Sequence, residues 1–288
     1  MGYRVIQSDW LAPAVRRLVV ETPHVTRHCG PGQFVIVRAT ANGERIPLTI
    51  AHVDRASKTI TLIVQAVGLT TTRLCALKAG EMIADVAGPM GQETEIDCVG
   101  HTVVVGGGVG TAVIYPQATA LKAKGNTVSA IIGGRSRLNV ILQRELCDVC
   151  DAVYPCTDDG SHGFKGFVTQ RLEQLIVQSA ETHSVKLVLC AGPVPMMRAV
   201  AELTRPLRIR TIASLNPIMV DGTGMCGGCR ISVGGETKFA CVDGPEFDAH
   251  KVDFKVLIDR LASYREHERH AQERHADEVT ACRGGNQP

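Results

Sequence analysis

Asp221, Cys226, Cys229 and Cys241 stand in the pattern D-x4-C-x2-C-x11-C, and glycines fill the gaps in Asp221-Gly-Thr-Gly-Met-Cys226-Gly-Gly-Cys229. Thiols so spaced are candidate metal ligands. A [2Fe–2S] cluster usually takes four of them, three from one short glycine-rich loop that folds around it. Here an acid stands where the first cysteine of C-x4-C-x2-C would be. Either the cluster has an oxygen ligand or there is no cluster. A C-x2-C pair is also half of a zinc knuckle, and the one further Cys or His nearby is His250.

A second group of residues could hold a dinucleotide. Val103-Val-Val-Gly106-Gly107-Gly108-Val109-Gly110-Thr111 places four glycines between an apolar strand and a helical pattern. Glycine lets backbone approach a pyrophosphate closely, and a helix start offers free N–H groups to it. The sequence is not G-x-G-x-x-G, and a tight strand–helix junction would also explain it. The next strand ends in Gly133-Gly134-Arg135-Ser136-Arg137, where the adenosine ribose of a nicotinamide dinucleotide would lie. Arg135 and Ser136 could take a 2′-phosphate or be solvated loop residues, so NAD(H) and NADP(H) both remain open. Thr157-Asp158-Asp159-Gly160 follows a third strand on the same edge; it suits a ribose or a plain turn.

The elements that position these groups fall into three parts. Residues 1–98 show short strands, Arg16–Glu21, Phe34–Ala39, Ile46–His52, Thr59–Ala66 and Met82–Ala87, separated by Gly, Pro and Asn turns. This predicts an antiparallel β-barrel. Residues 99–212 alternate: strands Thr102–Val105, Val128–Ile132, Ala152–Pro155 and Val185–Cys190, with helices up to Lys124, at Val140–Val149, at Phe167–Gln178 and at Pro195–Thr204. That alternation predicts an α/β domain with a doubly wound parallel sheet. Residues 213–288 hold the small, irregular cysteine segment and a charged tail that is helical only from Val256 to Tyr264. Its His267, His270 and His275 read as a solvated face rather than a metal site.

Bulk composition excludes several classes. A net charge of +2 on 288 residues, 4% aromatics and no basic run give no footprint for nucleic acid. The N-terminus lacks a signal-like apolar stretch, and Thr102–Tyr115 is too short and glycine-rich to span a bilayer. Eleven cysteines, an odd number, in a chain of this length fit reduced thiols in a cytoplasm better than a disulfide framework. Cys147-Asp-Val-Cys150 with Cys156 has no matching second pair and reads as incidental; Cys29, Cys75, Cys98 and Cys282 carry no pattern.

Several short motifs occur together in order: Pro31-Gly32-Gln33-Phe34, Arg45-Ile-Pro47-Leu48-Thr49-Ile50, Val67-Gly68-Leu-Thr70-Thr71, Gly88-Pro89-Met90-Gly91, Gly106-Gly-Gly-Val-Gly110 and Gly192-Pro193-Val-Pro195-Met196-Met197. Over roughly residues 3–265 the chain resembles the ferredoxin–NADP reductase superfamily. With the cysteine loop, it is similar to electron-transfer subunits of dihydroorotate dehydrogenase and, more closely, to small subunits of NADH-dependent ferredoxin:NADP oxidoreductases, a group that includes sulfide dehydrogenase subunits. The resemblance implies FAD on the barrel. Arg45 would neutralise its pyrophosphate, Pro47 and Leu48 would flank it, Thr49 would lie near flavin N5, and Gly68 and Thr71 would wrap the phosphates. It implies NAD(H) or NADP(H) at Gly106, Gly107, Gly108, Gly110, Arg135, Ser136, Thr157, Asp158, Gly192 and Pro193. It also implies a [2Fe–2S] cluster on Asp221, Cys226, Cys229 and Cys241, since small subunits of the second group share an aspartate at the first position. Relatives often have Cys directly before the Gly-Pro turn; here Ala191 stands there, so Cys190 takes no hydride-transfer role.

The implied activity is that of an NAD(P)H-dependent oxidoreductase subunit with flavin chemistry and no side-chain acid or base. Its partner would be a larger flavin and iron–sulfur subunit resembling the small subunit of glutamate synthase, with ferredoxin served through the complex. A dihydroorotate dehydrogenase catalytic subunit is the alternative partner, and a non-catalytic redox sensor the alternative role.

Overall fold

A computed structural model of the chain describes residues 2–180, 184–263 and 269–270. His267, His275 and Cys282 lie outside the described residues. The N-terminal part contains β1 (Tyr3–Ala12), β2 (Val15–Glu21), α1 (Pro23–His28), β3 (Phe34–Arg38), β4 (Arg45–Asp54), β5 (Thr59–Gln65), α2 (Leu69–Ala76), β6 (Met82–Ile83) and β7 (Asp85–Met90). Its seven strands pair antiparallel in the order β6-β1-β2-β5-β4-β3-β7. The two outer strands are consecutive in the chain with Ala84 alone between them, so the edges of the sheet meet there and the sheet curls into a barrel. Val5, Leu18, Val35, Val37, Ile60 and Leu62 fill its interior.

The second part contains β8 (His101–Gly107), α3 (Thr111–Ala123), β9 (Thr127–Gly134), α4 (Gln143–Cys147), β10 (Ala152–Thr157), β11 (Phe164–Lys165), α5 (Val168–Ser179), β12 (Val185–Ala191), α6 (Val194–Thr204) and β13 (Arg210–Ser214). The last stretch adds β14 (Arg230–Val233), β15 (Glu236–Phe239), β16 (Glu246–Asp248) and α7 (Phe254–Ala262). The second sheet runs β11-β10-β9-β8-β12-β13-β16, parallel except for β16. β8 and its neighbours are buried on both faces, as the apolar run Thr102–Val105 predicts for a parallel sheet covered by helices.

Several features depart from the strand and helix ranges read from sequence: the strand expected over Met82–Ala87 is divided at Ala84 into β6 and β7, and α1, α2, β11 and β13–β16 are not among those ranges. β1 is absent from them, because Gln7, Ser8 and Asp9 and two register shifts break its alternation. The helix expected over Val140–Val149 begins only at Gln143, with Leu142 at its N-cap in left-handed backbone at φ 56°. Ile141 and Leu142 are instead drawn into a cluster with Ala12, Val15, Ala51 and Ile63 of the barrel.

The C-terminal stretch is built into both larger parts. β16 is the edge strand of the second sheet, and one continuous core holds Phe34 and Ile36 of the barrel, Val103 and Val105 of β8, and Cys229, Ile231 and Cys241 of the cysteine segment.

Candidate functional site

Register places the barrel residues. In the antiparallel pair β3–β4, Phe34 opposes Thr49, Ile36 opposes Pro47 and Arg38 opposes Arg45, and opposed residues share a face. Val35, Val37, Ile46 and Leu48 face the barrel interior, whereas Phe34 and Ile36 join the core shared with the second sheet. Arg45, Pro47 and Thr49 therefore line the outer face, turned toward the rest of the chain, and none of the three is buried. Leu48 is the exception among the barrel residues: its side chain packs inward, which leaves only its backbone for a ligand. At the far end of this face, Thr70 donates to Glu44 at 3.3 Å and so brings the start of α2 beside Arg45. The Thr71 hydroxyl accepts from the N–H groups of Val67 (3.0 Å) and Gly68 (2.9 Å), which fixes the turn before the helix. An outer strand face that carries the exposed Arg45 guanidinium beside a short glycine turn fits a bound FAD pyrophosphate.

The glycine turn after β8 is held against the turn after β12. Gly106 pairs with Ala191. A Cβ on Gly110 would collide with the Ala191 carbonyl, one on Gly192 would stand 2.9 Å from the Gly107 carbonyl, and one on Gly107 would stand 3.0 Å from the Pro193 ring. Gly108 differs: its φ is +55° and nothing lies within 4 Å of a Cβ there. It faces the open side, where a pyrophosphate could approach the start of α3. At the ends of the neighbouring strands Gly134 pairs with Thr157. Thr157 is fully buried and its hydroxyl donates to His162 O at 2.8 Å, so it shapes the turn, while Asp158 and Arg135 stand exposed on it. Ser136 donates to Asn139 at 3.0 Å. Cys190 is buried, and burial pushes its thiol up to about 12, a poor group for transfer chemistry.

In the cysteine loop, Gly222, Gly224 and Gly227 have φ of +76°, +82° and +65°, conformations that only glycine takes at little cost. Asp221 turns both carboxylate oxygens onto its own loop, accepting from Thr223 N at 2.9 Å and Cys226 N at 2.7 Å. The Thr223 N–H, followed by that of Cys226, holds the carboxyl below its ordinary range. Cys229 and Cys241 are buried with their sulfurs 3.1 Å apart, and Cys226 is exposed. Burial, then the adjacent Cys229, pushes Cys241 up to about 12. Two buried thiols in contact can both ionise only if a cation shares the site, which is the condition a metal centre supplies.

Among the described residues no three Cys, His, Asp or Glu side chains converge on one point. They stand as pairs, Cys229 with Cys241 and Asp221 with Cys226, and a cluster of two irons uses ligands in pairs. The zinc reading needs His250, but its ring lies 2.9 Å from the Thr204 hydroxyl. That hydroxyl also accepts from Thr211 at 2.7 Å. Of the sequence-marked decoys, Cys150 and Cys156 are pushed up to about 12 and about 11, chiefly by burial. Among the described residues no helix is long and apolar enough to cross a membrane.

Sequence reasoning passed over Glu246 and Met90. A Cβ on Gly222 would fall on the Met90 sulfur and stand 3.0 Å from Ile36. Since Ile36 lies beside Pro47, the cysteine loop rests against the same barrel face that presents Arg45, Pro47 and Thr49. The run Gly88-Pro-Met90-Gly91 was visible as a motif, but no spacing linked it to the cysteines.

Residues 216–253 match the family model for the iron–sulfur cluster binding domain of dihydroorotate dehydrogenase B. The chain is 43% identical over 94% of its length, and 94% of the relative's, to a dihydroorotate dehydrogenase B (NAD+) electron transfer subunit homolog of Thermotoga maritima. It is 32% identical to the electron transfer subunit of that enzyme from a Geobacillus strain, over 86% of this chain and 96% of the other. It is also similar to a chain in the solved structure of an NADH-dependent reduced ferredoxin-NADP oxidoreductase, studied for flavin-based electron bifurcation. The TM-score there is 0.88 and the identity 39%, over 96% of this chain and 98% of that one. An Amycolatopsis cytochrome P450 reductase, 20% identical with a TM-score of 0.61 over 72% of this chain and 66% of that one, shares the fold.

Proposed function

The chain belongs to the family of dihydroorotate dehydrogenase B electron-transfer subunits and their homologues, and from that premise we propose that it relays electrons between a nicotinamide coenzyme, FAD and a [2Fe–2S] cluster for a larger subunit. A bound FAD would supply two-electron hydride exchange with the coenzyme and one-electron exchange with the cluster. The residues supply binding and orientation. Arg45 neutralises the flavin pyrophosphate, Pro47 and Thr49 border the ring, and Gly68 and Thr71 close over the phosphates. Gly106, Gly107, Gly108 and Gly110 receive the coenzyme pyrophosphate, with Arg135, Ser136 and Asp158 at the adjoining strand ends and Gly192 and Pro193 behind. Asp221, Cys226, Cys229 and Cys241 hold the cluster.

The observation that carries this reading is the placement of the cysteine loop on the outer barrel face, through Gly222 against Met90 and Ile36. A flavin on that face and a cluster in that loop become neighbours without any movement of the chain. Rapid mixing of the flavin- and iron-loaded protein with NADH or NADPH, without oxygen, tests it. Flavin bleaching followed by reduction of the cluster is expected. Bleaching with a cluster that stays oxidised, or no bleaching with either coenzyme, contradicts it.

We further propose a larger flavin and iron–sulfur subunit as partner, one that links the two nicotinamide coenzymes with ferredoxin. The 39% identity over nearly the whole of both chains supports this, as does Asp221 in place of a cysteine. The shared cluster-binding domain favours a dihydroorotate dehydrogenase catalytic subunit as the second reading. Identification of the subunit that co-purifies decides between them. A cytoplasmic location accompanies either reading.

A further inference from the structure

The chain between the cluster ligand Cys241 and β16 is fastened to the barrel loop that follows β7. The Gln92 side chain donates to Val242 O at 2.8 Å, and Gln92 N donates to Gly244 O at 2.6 Å. Thr94 donates its hydroxyl proton to Glu246 Oε1 at 2.7 Å. The same carboxylate oxygen accepts from the Gln117 side chain of α3. Glu246 thus has one oxygen that receives donors from two parts of the molecule, and it sits on a strand of the third. Its level in the sheet is the ligand edge, since Glu246 pairs with Ser214, Ser214 with Ala191, and Ala191 with Gly106.

Among the described residues no charged group balances this carboxyl. Burial raises its pKa, and only the Thr94 and Gln117 hydrogen bonds oppose that. Packing leaves the group no slack either, because a Cβ on Gly32 would stand 2.8 Å from the same oxygen. Gly32 opens the turn into β3, the strand that carries Phe34 and Ile36 beside Thr49 and Pro47. A buried carboxyl with neutral donors costs stability, so its position calls for an explanation beyond packing.

We propose that Glu246 is a positioning residue for electron transfer: by joining Thr94 of the barrel and Gln117 of α3 to the strand that follows Cys241, it fixes the cluster relative to the flavin face. The inference rests on the reading above that the barrel holds FAD and the loop a [2Fe–2S] cluster. Transfer between two cofactors falls steeply with their separation, and supporting residues set that separation to a fraction of an ångström. Truncation of Glu246 leaves the Thr94 hydroxyl and the Gln117 amide without their acceptor and frees the Cys241–Glu246 run on one side.

The test uses the full chain loaded with FAD and iron, as wild type, Glu246→Ala, Glu246→Gln and Thr94→Val. Rapid mixing with NADH or NADPH, whichever bleaches the wild-type flavin, separates flavin bleaching from cluster reduction. Hydrogen exchange of peptides covering 91–95 and 241–247 reports the junction independently of turnover. In Glu246→Ala, cluster reduction slows several-fold, because the freed run no longer holds the separation between the two cofactors. Flavin bleaching holds its rate, and both peptides lose protection. Glu246→Gln keeps the acceptor oxygen and restores rate and protection. Thr94→Val shifts both in the direction of the alanine variant, and carries the test if Glu246→Ala does not fold.

Glu246→Ala with full FAD and iron and an unchanged rate of cluster reduction overturns the proposal. So does Glu246→Gln behaving as Glu246→Ala, because the acceptor oxygen would then not be the cause. Wild-type protein that binds no FAD or no iron overturns the underlying reading and this inference with it.

Discussion

Gly108 and Gly110, two residues apart, make opposite demands on the same turn. A methyl on Gly110 meets the backbone carbonyl of Ala191, which cannot step aside, whereas one on Gly108 meets nothing. Gly110→Ala therefore loses about 3 kcal/mol of stability through overpacking, read as a lowered Tm. Gly108→Ala pays about 1 kcal/mol for its left-handed backbone and places a methyl on the pyrophosphate approach. Its expected signature is a near-native Tm with coenzyme affinity reduced at least several-fold in a flavin-bleaching titration. Equal loss of affinity and stability in both variants would contradict this assignment. Asp221 makes a different residue-level claim. A carboxylate donates less electron density to iron than a thiolate does, so Asp221 as a ligand would raise the potential of the cluster relative to an all-cysteine site. Asp221→Cys is expected to lower the midpoint measured by redox titration; an unchanged or higher midpoint refutes the idea.

The connections between elements explain which parts of the fold were legible in the sequence. The apolar run at Thr102–Val105 followed by glycines announced β8 and the start of α3, because a strand buried on both faces has to be continuous in apolar residues. β16 was not legible: three residues in Asp243-Gly-Pro-Glu-Phe-Asp show no periodicity, and their pairing with β13 is a tertiary outcome. The proposed cluster ligands stand out by their spacing, whereas Glu246 does not, since nothing local distinguishes it from a surface glutamate. Its burial has a measurable consequence. The folded-state pKa lies above the ordinary value of the unfolded chain, so the contribution of this one carboxyl to stability is fullest below the ordinary carboxylate range and is lost as pH rises through the raised pKa. Glu246→Gln has no such proton to lose. The Tm of Glu246→Gln minus that of wild type is therefore expected to grow as pH rises above the ordinary carboxylate range; a flat difference contradicts an inward-facing carboxyl.

At the scale of the molecule, the C-terminal stretch serves both larger parts. Its loop rests on the barrel through Met90 and Ile36, β16 extends the second sheet, and the Arg260 side chain of α7 donates to Gly228 O at 3.0 Å. A cluster held there stands between a flavin barrel and a dinucleotide sheet, with Cys226 at the surface. That arrangement suits passage of electrons out of the chain to a larger subunit. The measurement that bears most directly on this account is the flavin and metal content of the protein purified without oxygen from its native host. About two irons, equal acid-labile sulfide and one FAD per chain are expected, with a larger flavin- and iron-containing subunit in the same fractions. A single zinc per chain, or intact protein with fewer than two irons, would contradict it.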